Sequence, residues 1–167
     1  MLLLASCNSK KNEYDPYKIS GGKPKKEVSK SSFEIKFKDT GTNTKTIHVK
    51  LNDAVSFDAL FDTGCSFVSI SETEALPLIK AGTLSENDHS GYAQTSIADG
   101  SSGYQKVYKL KMVSVVDING KEHTLYDVPT TIERNITAPF LLGTYVIDNL
   151  AKKSYTVDLK KNVIRFE

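Results

Sequence analysis

The segment Ala59-Leu60-Phe61-Asp62-Thr63-Gly64-Cys65-Ser66-Phe67-Val68-Ser69-Ile70 sets one aspartate between two apolar runs, where a strand should be heading into a core. A carboxylate there is costly to bury unless hydrogen bonds or a partner compensate it. Gly64 lets backbone approach the carboxylate closely, and Thr63 adds a hydroxyl. This combination suits a carboxyl group kept for chemistry.

The flanking pattern is β. Phe33-Glu34-Ile35-Lys36-Phe37-Lys38 and Thr46-Ile47-His48-Val49-Lys50-Leu51 alternate as half-buried strands do, with Asn52-Asp53 turning the chain into a strand from Val55 to Phe61. Phe67–Ile70 is a short apolar strand. Ser71-Glu72-Thr73-Glu74 has the form of a capping box, opening a helix to about Lys80 with Gly82 just past its end. Pro77 inside that pattern predicts a short or irregular helix. Residues 82–96 are polar and read as a surface loop. Ile97-Ala98-Asp99-Gly100-Ser101-Ser102-Gly103 is a Gly/Ser tip between strand-like flanks. Tyr104 to Val116 alternates as a long strand, Asn119-Gly120 signals a hairpin returning through Lys121–Tyr126, and Pro129 breaks or edges the next strand. Ala138–Gly143 is an apolar run ending in glycine, Thr144–Leu150 holds one or two helical turns, and Tyr155–Leu159 with Val163–Phe166 form a closing hairpin. The sequence has no internal repeat.

With 167 residues, 39% hydrophobic and 25% charged, the chain has room for one domain with a core, with or without a tail. Three regions follow: residues 1–7, a basic tether over 8–32, and the β-rich body over 33–167. The tether carries +4 of a total of +2, which leaves the rest at −2 and argues against a nucleic-acid partner. It contains almost nothing that could form a core and reads as disordered spacer. Leu4-Ala5-Ser6-Cys7 resembles a bacterial lipobox, in which Cys7 is lipidated, although the apolar run before it is short and no charged segment precedes it. The expectation is a lipid-anchored protein of the bacterial cell envelope, periplasm-facing or surface-exposed, with basic residues beside the membrane. The competing reading is a chance apolar start with a stray cysteine.

If Cys7 carries lipid, Cys65 has no partner and no disulfide framework exists. His48, His89 and His123 lie far apart in the chain and read as strand or loop residues; no metal site and no cofactor is expected. There is no local serine or cysteine nucleophile signature, phosphate-binding loop or dinucleotide fingerprint.

The order apolar strand, Asp-Thr-Gly, apolar strand, Gly-rich hairpin tip, long strands, Leu141-Leu142-Gly143, short helix and terminal hairpin resembles the single-domain, retroviral-type (retropepsin-like) aspartic proteases, including bacterial envelope relatives. The resemblance spans roughly residues 45–167. It implies an all-β, closed, barrel-like acid-protease fold with one or two short helices. It also implies half an active site per chain, completed in a homodimer that places two Asp62 carboxylates side by side. Like charges that close share one proton, so one member acts as general base on water and the other as general acid on the peptide carbonyl. Asp62 is then catalytic, within an active-site loop of Thr63, Gly64, Cys65 and Ser66. Thr63 links the two loops across the dimer, and Gly64 offers its N–H to the carboxylate. Ala98, Asp99, Gly100 and Ser101 match the flap, and Leu141, Leu142 and Gly143 a structural brace behind the loop.

Cys65 departs from the pattern, which has Ala, Ser or Thr there. A hydroxyl would hydrogen-bond the carboxylate and favour its charged form, whereas a thiol is the weaker donor. The expectation is a dyad working at milder pH than a Thr variant would, with a plain buried space-filler as the alternative. Two functions of different class follow: a membrane-tethered dimeric peptidase acting on peptide or protein substrates, or a catalytically inactive protease-like binding module. A purely structural β-barrel lipoprotein leaves the Asp-Thr-Gly unexplained.

Overall fold

Alternation along the chain becomes alternation across a sheet. In β3 (Lys45–Leu51), Ile47, Val49 and Leu51 are buried while His48 between them is exposed. The turn into β4 (Val55–Phe61) has Asn52 and Asp53 at φ 51° and 55°, with the Ala54 N–H donating to the Leu51 carbonyl at 3.0 Å. That is a turn whose twist matches antiparallel strands, made by residue types that tolerate positive φ. The computed structural model describes residues 32–96 and 102–167.

The remaining elements are β1 (Phe33–Lys36), β2 (Lys38–Asp39), β5 (Val68–Ser71), α1 (Glu72–Lys80), β6 (His89–Ser96), β7 (Ser102–Val116), β8 (Glu122–Glu133), β9 (Leu141–Leu142), α2 (Thr144–Leu150), β10 (Tyr155–Asp158) and β11 (Val163–Phe166). One sheet runs β2-β3-β4-β9-β5-β8-β7-β6, and β3 also pairs with β7, from Val49↔Val115 to Leu51↔Val113. Strands β3, β4, β9, β5, β8 and β7 therefore close into a ring around a core of Val49, Leu51, Val68, Ile70, Leu110, Leu125 and Leu142. Closure removes the open edges of those six strands. The fold is all-β and barrel-like with two short helices, as expected.

The helix signals hold. Ser71 caps α1, its Oγ accepting from the Thr73 N–H at 3.1 Å while Glu74 Oε2 accepts from the Ser71 N–H at 2.8 Å. Gly82 follows at φ 68°. The Asn119-Gly120 hairpin joins β7 to β8, with Gly120 at φ 81°.

Three expectations change. Residues 89–96 are not loop: they form β6, antiparallel to β7 from His89↔Tyr108 to Ser96↔Ser102, preceded by a single 3₁₀ turn over Glu86–Asp88. Pro129 does not break its strand. It sits inside β8 opposite Lys109, just before β5 begins to pair at Thr130, so β8 loses no bond to β5 there. The closing hairpin gains a third strand, because β1 pairs with β11 from Phe33↔Phe166 to Lys36↔Val163 and gives a sheet β1-β11-β10.

Candidate active site

Two chain segments far apart in sequence build the Asp62 loop. β9 lies between β4 and β5: parallel to β4 at Leu60↔Leu141 and Phe61↔Leu142, antiparallel to β5 at Val68↔Leu142 and Ser69↔Leu141. The strand entering the loop and the strand leaving it are thus fastened to the same two residues. The backbone continues the grip, with the Leu60 N–H donating to Phe140 O at 2.8 Å and the Asp62 N–H to Leu142 O at 3.1 Å. Beyond β9, α2 begins with no side-chain cap. Its first N–H groups, which no helix satisfies internally, go to the loop: Thr144 to Cys65 O at 2.8 Å and Tyr145 to Ser66 O at 3.0 Å.

Gly143 makes that contact sterically feasible. A Cβ at this position would lie 2.0 Å from Phe67 O and 2.5 Å from Cys65 O, so no side chain fits between α2 and the loop. Its φ of −84° is ordinary; space, not backbone freedom, requires glycine here. Leu142 is buried and Leu141 half-buried. All three brace residues thus act through packing and backbone.

At the loop itself, Asp62 is half-buried at the end of β4, while Thr63, Gly64 and Ser66 are exposed. The Gly64 N–H donates to Asp62 Oδ1 at 2.8 Å, and the Cys65 N–H reaches the Asp62 carbonyl at 3.4 Å. A Cβ on Gly64 would sit 3.2 Å from the carboxylate oxygen it serves. Cys65 turns away from Asp62, its thiol donating to Phe67 O at 3.2 Å. Burial pushes that thiol up from its ordinary range, the bond to Phe67 opposes this, and the charges of Asp62 and Glu133 raise it further. On one side of the loop an open cavity of about 570 Å³ runs from Asp62 and Thr63 to Tyr155, Val157 and Leu159 of the terminal hairpin.

The other side meets the β6–β7 hairpin. Phe67 is buried with Ala93 of β6 and Val107 of β7, which seats the hairpin root on the loop. The flap residues Ala98, Asp99, Gly100 and Ser101 lie outside the described residues, as does Cys7. Strands β6 and β7 bracket that tip, pairing up to Ser96↔Ser102. The sequence reading missed Phe67 as a hairpin seat, and Gln105 and Glu133 beyond it. Gln105 Nε2 donates to Glu133 Oε1 at 2.5 Å. Expecting β8 to stop at Pro129 hid this: with the strand unbroken, Thr130–Glu133 run parallel to β5, from Val68↔Thr130 to Ser71↔Glu133, and bring Glu133 beside the hairpin.

The histidines do not converge. His48 pairs with Asp58 at 3.0 Å on the surface, His89 packs against Tyr92 and Tyr108, and His123 is buried against Asp117. Among the described residues no helix is long and apolar enough to cross a membrane.

The fold that holds this loop has a counterpart among solved structures. The crystal structure of a retropepsin-like aspartic protease from Rickettsia conorii matches the chain with a TM-score of 0.51, covering 87% of this chain and 94% of that one at 18% identity. The fold is retropepsin-like. No protein-family model matches the sequence, and no curated protein matches it. In this retropepsin-like fold Asp62 occupies the loop between β4 and β5, with β9 behind it.

Proposed function

We propose that the chain is an aspartic endopeptidase that becomes complete as a homodimer. The observation that carries this is the Asp62 carboxylate: half-buried, fixed at one oxygen by Gly64, on a loop whose backbone is locked by Leu141–Thr144. A carboxylate held this way keeps its other oxygen for a water or a second carboxylate. In a dimer two Asp62 groups would share a proton. The ionised member would take a proton from water as the water attacks the peptide carbonyl. The protonated member would donate to the carbonyl oxygen, and the roles would then exchange as the amine leaves. Exposed Thr63 and β10, an edge strand among the described residues, lie on one side of the loop, which suits contact with a second copy. Anchoring through Cys7 would confine copies to a membrane surface and raise their effective concentration. It would place the enzyme in the bacterial envelope.

The test is cleavage of a diverse peptide library by wild type and Asp62→Asn, with and without an aspartic-protease transition-state analogue, alongside sedimentation of the chain. Expected are cleavage by wild type only, inhibition by the analogue, and activity that tracks the dimer. Cleavage by Asp62→Asn at the wild-type rate refutes the assignment. Absence of cleavage with retained peptide binding favours the binding-module alternative. Incorporation of a labelled fatty acid in wild type but not Cys7→Ala checks the anchor.

A further inference from the structure

The hairpin seated on the loop is bonded to a second carboxylate that the acid–base scheme does not use. Glu133 ends β8, paired with Ser71 at the end of β5. Strand alternation places Gln105 on the same face of β7 as Val107, opposite Ala93 of β6. Val107 and Ala93 are the residues buried on Phe67. The Gln105–Glu133 pair therefore stands one step further out along the hairpin, on the face turned to the Asp62 loop. Burial is the main cause of the raised Cys65 thiol, and the charges of Asp62 and Glu133 push it in the same direction. Both Gln105 and Glu133 are half-buried and so remain reachable.

The bonding of Glu133 is that of an oriented group rather than a spent one. Its partner is a neutral amide, which aims the carboxylate without cancelling its charge. An ionised carboxylate has about four acceptor sites, and Gln105 occupies one of them. A half-buried carboxylate fits a guanidinium or ammonium group best, because a charge-assisted bond is stronger than a neutral one.

We infer that Glu133 is a specificity-determining residue that recognises a Lys or Arg side chain of the substrate close to the cleaved bond, with Gln105 as its positioning residue. This rests on the peptidase assignment. Recognition of this kind is ground-state binding as much as transition-state binding, so it acts on KM more than on kcat.

The experiment uses the full chain as wild type, Glu133→Gln and Glu133→Lys, with thermal unfolding confirming that each folds. Glu133→Gln keeps the shape and a hydrogen bond to Gln105, so a merely structural Glu133 predicts no change in selectivity. In library cleavage, wild type is expected to enrich Lys or Arg at one position flanking the cut. Glu133→Gln should lose that enrichment, with KM for a Lys-containing peptide rising about tenfold and kcat within about twofold. Glu133→Lys should shift preference to Asp or Glu. A wild-type cut profile without basic enrichment, or enrichment that survives Glu133→Gln, overturns the inference. Binding of a Lys peptide and its norleucine analogue to Asp62→Asn, with and without Glu133→Gln, separates the two claims. If nothing is cleaved but the Lys peptide binds tighter only when Glu133 is present, the peptidase assignment fails and Glu133 recognition stands. Equal binding of the two peptides overturns it.

Discussion

Asp62 and Asp117 sit in similar sequences, Asp62-Thr63-Gly64 and Asp117-Ile118-Asn119-Gly120, and each folds a tight turn after a strand. Their environments are opposite. Asp117 is buried, and its oxygens are filled: Oδ1 accepts from the Asn119 and Lys121 N–H groups at 2.8 and 3.0 Å, and Oδ2 from His123 Nε2 at 3.0 Å. His123 is fully buried, stacked on Phe33 with ring centroids 3.6 Å apart. Among the described residues Asp62 accepts one hydrogen bond, from Gly64, and is half-exposed. A carboxylate that holds a fold together has its lone pairs spoken for. Asp62, the one proposed to do chemistry, is held at one oxygen by Gly64 and left open at the other among the described residues. The difference follows from what surrounds each turn: a strand hairpin supplies fixed N–H donors at Asp117, whereas at Asp62 the neighbouring strand, β9, grips only main chain.

The largest expected effect separates the two aspartates most sharply. Asp62→Asn should reduce kcat/KM by about 10²–10⁴-fold, the usual weight of a general acid or base, while changing stability by less than about 0.5 kcal/mol. Peptide turnover and urea unfolding of the same preparations measure both. A large loss of stability would mean that Asp62, like Asp117, is a structural carboxylate and that the contrast is false.

Next comes the support of the Asp62 turn, which is main chain and therefore weakest where a side chain is forbidden. Gly143→Ala drives a methyl into Phe67 O and Cys65 O, and α2 or the loop must move by more than an ångström. The expected cost is about 3 kcal/mol by urea denaturation, near the upper end for overpacking, with activity lost alongside. Stability close to wild type would show that the loop is held less rigidly than its hydrogen bonds indicate.

Asp117→Asn probes the other member. The amide sets a donor against the His123 Nε2–H. Switching the imidazole tautomer moves the proton to Nδ1, which is buried with no partner among the described residues. One unsatisfied buried group costs about 2 kcal/mol, with peptide turnover per folded molecule unchanged. Burial pushes the Asp117 carboxyl up, but the bonds from His123, Lys121 and Asn119 outweigh it and hold it below the usual range. A carboxyl depressed in the folded state contributes stability that is present above its unfolded value, about pH 4, and is lost as pH falls through the folded value. The gap between wild type and Asp117→Asn should therefore narrow as pH drops below about 4 in unfolding curves. A gap independent of pH would remove the charge from the explanation.

The two turns also differed in how far the sequence alone revealed them. Asn119-Gly120 announced its hairpin because positive φ restricts the residue types, and the structure has Gly120 in that region. Asp62-Thr63-Gly64 and Leu141-Leu142-Gly143 stood out as motifs, and alternation in Thr46–Leu51 and Tyr104–Val116 marked the ring strands. β6 did not stand out. It is an arm of an exposed hairpin, with Tyr92 and Gln94 on the surface and, among its described side chains, Ala93 alone clearly buried, so it carries little apolar signal. β8 was cut short at Pro129 because a proline in a strand is costly only where a partner needs its N–H, and partner order is not local information. The pairing of β1 with β11, and the bond of Gln105 to Glu133, are long-range in the same sense.

The smallest effect bears on how the open carboxylate is kept open. At Asp117 three neighbours, Asn119, Lys121 and His123, donate to the carboxylate, whereas near Asp62 the Cys65 side chain gives its hydrogen to Phe67 O instead. Cys65→Thr supplies an oxygen donor in the same loop, and a hydroxyl bonds a carboxylate more strongly than a neutral carbonyl. The threonine should therefore favour the charged carboxylate, moving the acidic limb of the kcat/KM profile to lower pH with the maximum within about threefold of wild type. A hydroxyl that stays on Phe67 O, as the thiol does, would leave the two profiles superimposed. In that case Cys65 is a space-filler at the seat of the hairpin, and the openness of Asp62 comes from Gly64 and the β9 grip alone.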